Sequence, residues 1–568
     1  MVRTYHRGWL PADLIAGVVL AAILVPQGMA YAELAGVPAV NGLYTTIACL
    51  IGYALMGPSR VLVLGPDSSL GPLIFAAITP LIAGGGPETA IALAGMLALL
   101  VGGIEILLGL AKLGVIADLL SKEVQVGYLN GLALTIFVGQ LPKLFGFSTD
   151  ADGFIEEVEA FVRGLDQTNR TTLILGLVTL VVLFLLPRVT KKIPAVLVAV
   201  VGATAVVGLL DLTAEGVDVV GRLPQGLPVP ALPSVSMSDI GPLLAAAAGI
   251  VFVSLADTIA TSSSFAAKRG EESDANKEMI GIGSANLAAG LFQGFAVSAS
   301  GSRTAVAEQS GSKTQVTGLV GAGVVAVLVV ALPGLVANLP QTALAAVVIA
   351  AAFSLIDPAS LRRFWRVRKG ALLTSAVATL GVVLFGVLQG IVIAVVISIV
   401  LFFKRNWWPH GSVLGYVPEL SSWHSVESRP DAVAMPGTVV FRWEAPLFFA
   451  NAGLFRAAIR RLVREAPETR WVVLQCEAIT DIDVTAADML RELDDELNAK
   501  GVHMGFAELR TRLHERVLRY GLFETLDRDH FYPTLEAAID AARSEASGRE
   551  GSGGEDEGRG AVPGPSHH

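Results

Sequence analysis

The sequence predicts a polytopic all-α membrane protein of fourteen spans, built as two inverted halves of seven, followed by a small cytoplasmic α/β domain. Three observations carry this prediction. Only 16% of the 568 residues are charged while 53% are hydrophobic, against about 25% charged in an ordinary soluble domain. The mean hydropathy is +0.62, which points to long apolar segments buried in lipid. The charge is also uneven: residues 11–405 are poor in it, and 406–568 hold a dense mixture of Asp, Glu, Arg and Lys.

The apolar runs, separated by charged or Pro/Gly-rich breaks, are 12–31, 37–56, 68–83, 88–111, 117–145, 171–186, 193–210, 240–264, 278–293, 302–312, 315–334, 341–355, 371–387 and 389–404. Two of them, 68–83 and 302–312, are too short to cross about 30 Å of hydrocarbon alone. With an even number of spans and a cytoplasmic N-terminus, the inner segments hold nineteen basic residues, from Arg3 to Arg405. The outer loops hold only Lys143, Arg163, Arg170 and Arg222. That bias fits the positive-inside rule and puts both ends in the cytoplasm. Spans 1–7 (about 10–212) and 8–14 (about 238–405) form halves of odd number, which therefore face opposite ways, as in many secondary transporters. The 60 glycines suit helices whose backbones approach closely. No cleavable leader is visible, so the first run reads as a retained span.

In each half the third span is short and follows an irregular polar stretch, Gly65-Pro66-Asp67-Ser68-Ser69 in one and Ser298 to Thr304 in the other. A helix that starts in mid-membrane leaves its first N–H groups without intrahelical partners, and lipid cannot satisfy them. Two such N-termini facing one cavity form an anion site. Ser68, Ser69, Ser300, Ser302 and Thr304 add hydroxyls, and Arg303 a positive charge; these six are the expected substrate-binding residues. The alternative is that 298–313 is a polar loop and Arg303 a cytoplasmic surface charge. Asp257, inside the eighth span, needs a cation, a proton or a polar neighbour. It is expected to be the coupling-ion residue for Na⁺ or H⁺, with Thr258 and Thr261 as oxygen ligands, or else a structural partner of Arg303. Asp67 reads either as a site carboxylate or as a helix cap. Glu105 receives no role.

These residues also carry a resemblance. Pro26-Gln-Gly-Met-Ala-Tyr-Ala-Glu-Leu-Ala-Gly36 with Gly42-Leu-Tyr44, Gly221-Arg-Leu-Pro-Gln-Gly-Leu-Pro228, and Ser310-Gly-Ser-Lys-Thr-Gln315 after Ser302-Arg303 resemble motifs of the sulfate permease (SulP) family. The likeness extends from about residue 7 to 545. It implies a core domain of spans 1–4 and 8–11, a gate domain of spans 5–7 and 12–14, and an anion between spans 3 and 10. It also aligns Ser302 and Arg303 with the family's anion-contacting pair. Asp257 aligns with an acidic coupling residue that is Glu in many members; an aspartate here is similar to the Na⁺-coupled bicarbonate branch.

After a linker at 406–436, residues 437–545 read as alternating strands and helices: strands 438–443, 471–475 and 503–507, and helices 452–465, 484–500 and 511–520. Glu444-Ala-Pro-Leu-Phe-Phe-Ala-Asn451 and Ile482-Asp-Val-Thr-Ala486 resemble the STAS domain that ends sulfate permeases. Signalling relatives carry a phosphorylated serine directly after the residue corresponding to Asp483. Here Val484 stands in that place and Thr485 is a weak substitute, so regulation or dimer packing is the expected role and a homodimer the expected assembly. Residues 546–568 read as a disordered tail.

The functional expectation is a secondary active inorganic anion transporter, with sulfate first and H⁺ or Na⁺ as coupling ion. Within transport, a bicarbonate or dicarboxylate carrier is the alternative, and a membrane-anchored sensor using the STAS-like domain is the alternative of another class. A nucleobase permease would need no arginine beside the tenth span. No phosphate-binding loop, clustered metal ligands or nucleophile–base pair appears, so neither an enzyme nor ATP-driven uptake is expected. The net charge of −9 sits mostly in the C-terminal third and does not suggest nucleic acid; Cys49 and Cys476 lie in different regions and suggest no disulfide framework. The expected partners are a small inorganic anion and the lipid bilayer, with no resident cofactor beyond the coupling ion.

Overall fold

The computed structural model describes residues 5–552 except 83, 115–120, 150, 152, 191–193, 523–525 and 527. The chain divides into two compact units between Ile399 and Val400. Each of the fourteen apolar runs falls on a helix. These are α1 (Leu10–Leu34), α2 (Ala39–Met56), α3 (Gly71–Ile82), α4 (Pro87–Leu110) and α5 (Lys122–Phe145). After the short α6 (Phe154–Arg163) come α7 (Arg170–Val189), α8 (Ala195–Leu210), α9 (Met237–Lys268), α10 (Ala275–Leu291), α11 (Gly301–Gln309), α12 (Val316–Ala331) and α13 (Gln341–Leu355). After a second short helix, α14 (Pro358–Val367), come α15 (Lys369–Phe385) and α16 (Val387–Trp407), the last of which contains the boundary between the units. Among the described residues α1, α2, α4, α5, α7 and α9 are each long and apolar enough to cross a bilayer, and α13 reaches that length together with α14; the chain is a multi-pass membrane protein. Arg3, Lys191 and Lys192, counted among the inner basic residues, lie outside the described residues.

The packing repeats between the halves. In one group α4 packs on α9 and α10, while α12 packs correspondingly on α1 and α2; in the other, α5 meets α13 and α15 while α13 meets α7. The first group is the expected core and the second the gate. Close approach in the core depends on missing side chains. A Cβ on Gly102 of α4 would lie 2.6 Å from the carbonyl of Gly283 on α10, and one on Gly283 would lie 2.7 Å from the carbonyl of Gly102. No larger residue fits that crossing without separating the helices.

The two short spans are short in the structure too. At 1.5 Å per residue, the 12 residues of α3 and the 9 of α11 reach only about 18 Å and about 14 Å. Each is preceded by a two-residue strand, β1 (Leu64–Gly65) before α3 and β2 (Ser298–Ala299) before α11, and the strands pair antiparallel with Leu64 opposite Ala299 and Gly65 opposite Ser298. Extended backbone at this depth is tolerated because the two strands satisfy each other inside the protein.

The second unit is a six-stranded sheet in the order β4-β3-β5-β6-β7-β8. Its strands are β3 (Gly411–Val417), β4 (Ser422–Ser425), β5 (Thr438–Trp443), β6 (Trp471–Gln475), β7 (His503–Ala507) and β8 (Phe531–Tyr532). β5 to β8 run parallel, and β3 is antiparallel to both its neighbours. The helices are α17 (Ala452–Glu465), α18 (Val484–Asn498), α19 (Thr511–Arg519) and a last one at Leu535–Ser552. The expected linker at 406–436 is corrected: it supplies β3 and β4. Leu414 and Val417 of β3 are buried, but they stand three residues apart and two glycines flank Leu414, so no apolar alternation of period two marks Gly411-Ser-Val-Leu-Gly-Tyr-Val as a strand in the sequence. The expected tail is corrected at its start, since the last helix continues to Ser552; residues 553–568 lie outside the described residues. Asp483 caps α18, accepting from the N–H groups of Ala486 at 2.8 Å and Phe449 at 2.8 Å.

Candidate functional site

The β1–β2 pair brings the beginnings of α3 and α11 together, and the expected site residues gather around it. Arg303, in the first turn of α11, is only 2% exposed. Its guanidinium donates to the carbonyl of Pro66, to that of Gly65 at 3.4 Å, and to Asp67 Oδ2 at 3.1 Å. Its Nε is buried without a hydrogen-bond partner among the described residues. Gly65 leaves room for the approach: a Cβ there would stand 3.2 Å from the arginine's Nη1, so the guanidinium would have to shift by a few tenths of an ångström. Arg303 is thus no surface charge of a polar loop; it is held by the opposite half of the chain. Its carboxylate partner is Asp67, not Asp257.

Asp67 does two things. Its Oδ1 accepts from the Ser69 N–H at 3.0 Å and the Ser69 hydroxyl at 2.9 Å, which turns the chain into α3, and its Oδ2 holds Arg303. The Ser69 hydroxyl is also 3.1 Å from Asp257 Oδ2 on α9. Arg303, Asp67, Ser69 and Asp257 therefore form one continuous polar chain across the two halves, ending on α9. Ser68 is buried next to this turn.

The other expected residues divide into two groups. Ser300 and Ser302 stand 3.1 Å apart, hydroxyl to hydroxyl, with Ser302 exposed. Among the described residues no side chain caps α11, so its first N–H groups and these hydroxyls are the donors at an accessible end, where the helix dipole favours an anion. Thr304 and Thr258 instead hold the strands. The Thr304 hydroxyl accepts from the Val63 N–H at 3.1 Å, and the Thr258 hydroxyl accepts from the Ala299 N–H at 3.2 Å. Thr261, one turn after Asp257, has its hydroxyl 4.0 Å from where a Cβ of Gly301 would stand. The side chains of Asp257, Thr258 and Thr261 carry oxygen only, the donor type a hard cation takes, but the Thr258 hydroxyl is turned to the Ala299 N–H.

Sequence reasoning missed the groups that support this arrangement. Glu105 of α4 is fully buried and accepts from the Ser254 hydroxyl at 2.7 Å and the Asn286 amide at 2.8 Å, while Asn286 Oδ1 accepts from the Val297 N–H at 2.8 Å, directly before β2. Gln315 donates to the carbonyls of Ser59 and Leu62 at 2.9 and 2.8 Å, on the approach to β1. Asp13 of α1 accepts from the N–H groups of Lys313 and Thr314 at 2.7 and 3.1 Å and from the hydroxyls of Thr314 and Thr317, tying the chain between α11 and α12. An intramembrane carboxylate with no nearby cation was the signal available for Glu105.

Residues 10–378 match the sulfate permease family, and residues 429–538 match the STAS domain. The chain is 40% identical over 542 residues to a Mycobacterium tuberculosis protein named "Probable sulfate transporter", covering 95% of this chain and 97% of that one. It is 29% identical to the chloroplastic sulfate transporter 4.1 of Arabidopsis thaliana, over 95% and 81% of the two chains. Murine Slc26a9, an anion transporter solved in the inward-facing state, shares the fold with a TM-score of 0.86 at 23% identity, over 96% of this chain and 93% of that one. The transmembrane domain of the cyanobacterial bicarbonate transporter BicA matches with a TM-score of 0.61 at 26% identity, over 70% and 98%.

Proposed function

The chain belongs to the sulfate permease family, a family of anion transporters and not of enzymes, and from that premise we propose that it carries sulfate across a bacterial inner membrane by secondary active transport. The observation that carries the reading is the β1–β2 pair, which sets the uncapped start of α11 and the turn into α3 around one polar site. Ser300, Ser302 and the first N–H groups of α11 hold the anion in this reading. Arg303 fixes the two half-helices to each other and supplies positive potential from behind, its charge shared with Asp67. Names of the similar Mycobacterium and Arabidopsis proteins support sulfate as the substrate.

Asp257 is the coupling residue in this proposal, with Thr261 and the remaining lone pair of Thr258 as its oxygen neighbours. Its contact with Ser69 gives a physical route for coupling, since cation loading at Asp257 changes the hydrogen bond that shapes the start of α3. The proposal includes cytoplasmic termini, on the basic-residue bias of the loops, and assembly as a homodimer, which mass photometry of the purified protein checks. A bicarbonate carrier is the second reading, favoured by the aspartate on α9 and the likeness to BicA. The test is uptake of labelled sulfate, bicarbonate and succinate by proteoliposomes under imposed Na⁺ and pH gradients. Sulfate accumulation driven by one of the two gradients is expected. Accumulation of bicarbonate without sulfate replaces the first reading by the second, and no gradient-driven uptake of any of the three overturns both.

A further inference from the structure

The helix α14 plays no part in the anion site, yet its sequence, Pro358-Ala-Ser-Leu-Arg-Arg-Phe-Trp-Arg-Val367, is the most one-sidedly basic stretch of the membrane unit. Asp357 starts it as a cap, accepting from the Ser360 N–H at 2.9 Å, and Pro358 occupies its first turn, so a stable short helix forms between two spans. It packs on α15 and on the start of α5. Arg362, Arg363, Arg366, Arg368 and Lys369 are all exposed, and none has an ion-pair partner among the described residues.

The basic residues lie beside an apolar wall. A cleft of about 490 Å³ is lined by Leu361, Arg362, Trp365 and Arg366 of α14 and by Leu372 of α15. On a helix, Leu361 and Trp365 are one turn apart, as are Arg362 and Arg366, so the cleft has an apolar edge and a cationic edge side by side. Trp365 is 66% exposed, an aromatic placed as at a membrane–water boundary. From the residue after Leu372 onward, Leu373, Val377 and Leu380 make an exposed apolar track along α15. A soluble anion uses only the cationic edge; a molecule with a phosphate, a glycerol and an acyl chain uses all three features.

We propose that this cleft binds the headgroup of an anionic phospholipid, its phosphate between Arg362 and Arg366 and its chain along α15. Under the orientation proposed above the lipid comes from the inner leaflet, and binding there anchors the connection between α13 and α15 at the bilayer surface. Clusters of basic residues next to a span are the electrostatic signature of such recognition.

The test uses full-length protein reconstituted in phosphatidylcholine with a minor fraction of phosphatidylglycerol, then gently extracted, with retained lipid counted by native mass spectrometry. The wild type is expected to keep phosphatidylglycerol in preference to phosphatidylcholine. The double variant R362Q/R366Q is expected to bind it about thirtyfold more weakly, while R362K/R366K, which keeps both charges, retains the preference. Millimolar inorganic phosphate is expected not to displace the lipid. Unchanged retention by the glutamine pair, equal loss in both pairs, or displacement by phosphate alone overturns the proposal. The readout is lipid retention, so its failure is separate from any failure of sulfate transport.

Discussion

Among the described residues the Arg303 guanidinium draws its polar partners from the other half of the chain, 236 to 238 residues away: the carbonyls of Gly65 and Pro66 and the carboxylate of Asp67. Removing one member of a buried ion pair leaves the other uncompensated, which costs about 3–5 kcal/mol. Arg303→Ala is therefore expected to lower the melting temperature and abolish sulfate uptake. A double variant, Asp67→Asn with Arg303→Gln, removes both charges and is expected to recover most of the stability without recovering uptake, because the positive potential behind the anion is still lost. Thermal melting and proteoliposome uptake on the same preparations check this; recovered uptake in the double variant would make the pair purely structural. Asp257 is tested differently. Asp257→Asn keeps the volume and a group able to meet the Ser69 hydroxyl, so it is expected to keep anion binding while losing accumulation against a gradient. Wild-type accumulation by Asp257→Asn removes it from coupling.

The two-residue strands are the elements on which the site depends, and they are held mainly by side chains. Thr304 accepts from Val63 N–H, Thr258 accepts from Ala299 N–H, and the Ser300 N–H donates to the Val63 carbonyl at 3.1 Å. Thr304→Val has the same shape but no acceptor, leaving the Val63 N–H buried and unsatisfied at a cost of about 1–3 kcal/mol. The expected outcome is a small fall in melting temperature with a several-fold rise in the sulfate concentration needed for half-maximal uptake; unchanged uptake with lowered stability would mean that β1 does not position the anion. This level also marks how far sequence reading reached. Long helices were visible because a bilayer demands about 20 apolar residues per crossing, and the two short spans were visible as breaks in that demand. The register of β1 on β2 was not, since two residues carry no period, and neither was the Asp67–Arg303 pairing, which needs the halves docked. Glu105 and Asp13 were plain in the sequence as carboxylates within apolar runs, but their partners on α9, α10 and α12 were not. α6 and α14 escaped because a ten-residue interfacial helix looks like a polar loop to a hydropathy reading.

For the molecule as a whole, the boundary between the two units decides what can be removed. Every contact described for the anion site joins residues before Ile399: Gly65, Pro66, Asp67 and Ser69 on one side, Asp257 and Arg303 on the other. The sheet, in contrast, begins at β3, which lies between β4 and β5. Cutting the chain at 436, where the α/β pattern first becomes legible in sequence, deletes β5 to β8 and leaves β3 and β4 as an isolated hairpin. Leu414 and Val417, buried in the complete sheet, then lose their cover, and the edge of β3 that paired with β5 is left open. A two-stranded hairpin is marginal in water, and an open apolar edge invites pairing with another copy. Ending the chain at 409, just after α16, removes the remnant altogether. The shorter protein, 1–409, is therefore expected to elute as a single species in detergent and to keep sulfate-dependent thermal stabilisation, while the longer 1–436 aggregates. Gel filtration and thermal shift of the two truncations with and without sulfate make the comparison. Equal behaviour would show that β3 and β4 fold without the rest of the sheet, and loss of the sulfate shift in a monodisperse 1–409 would place part of the anion's binding energy outside the membrane unit.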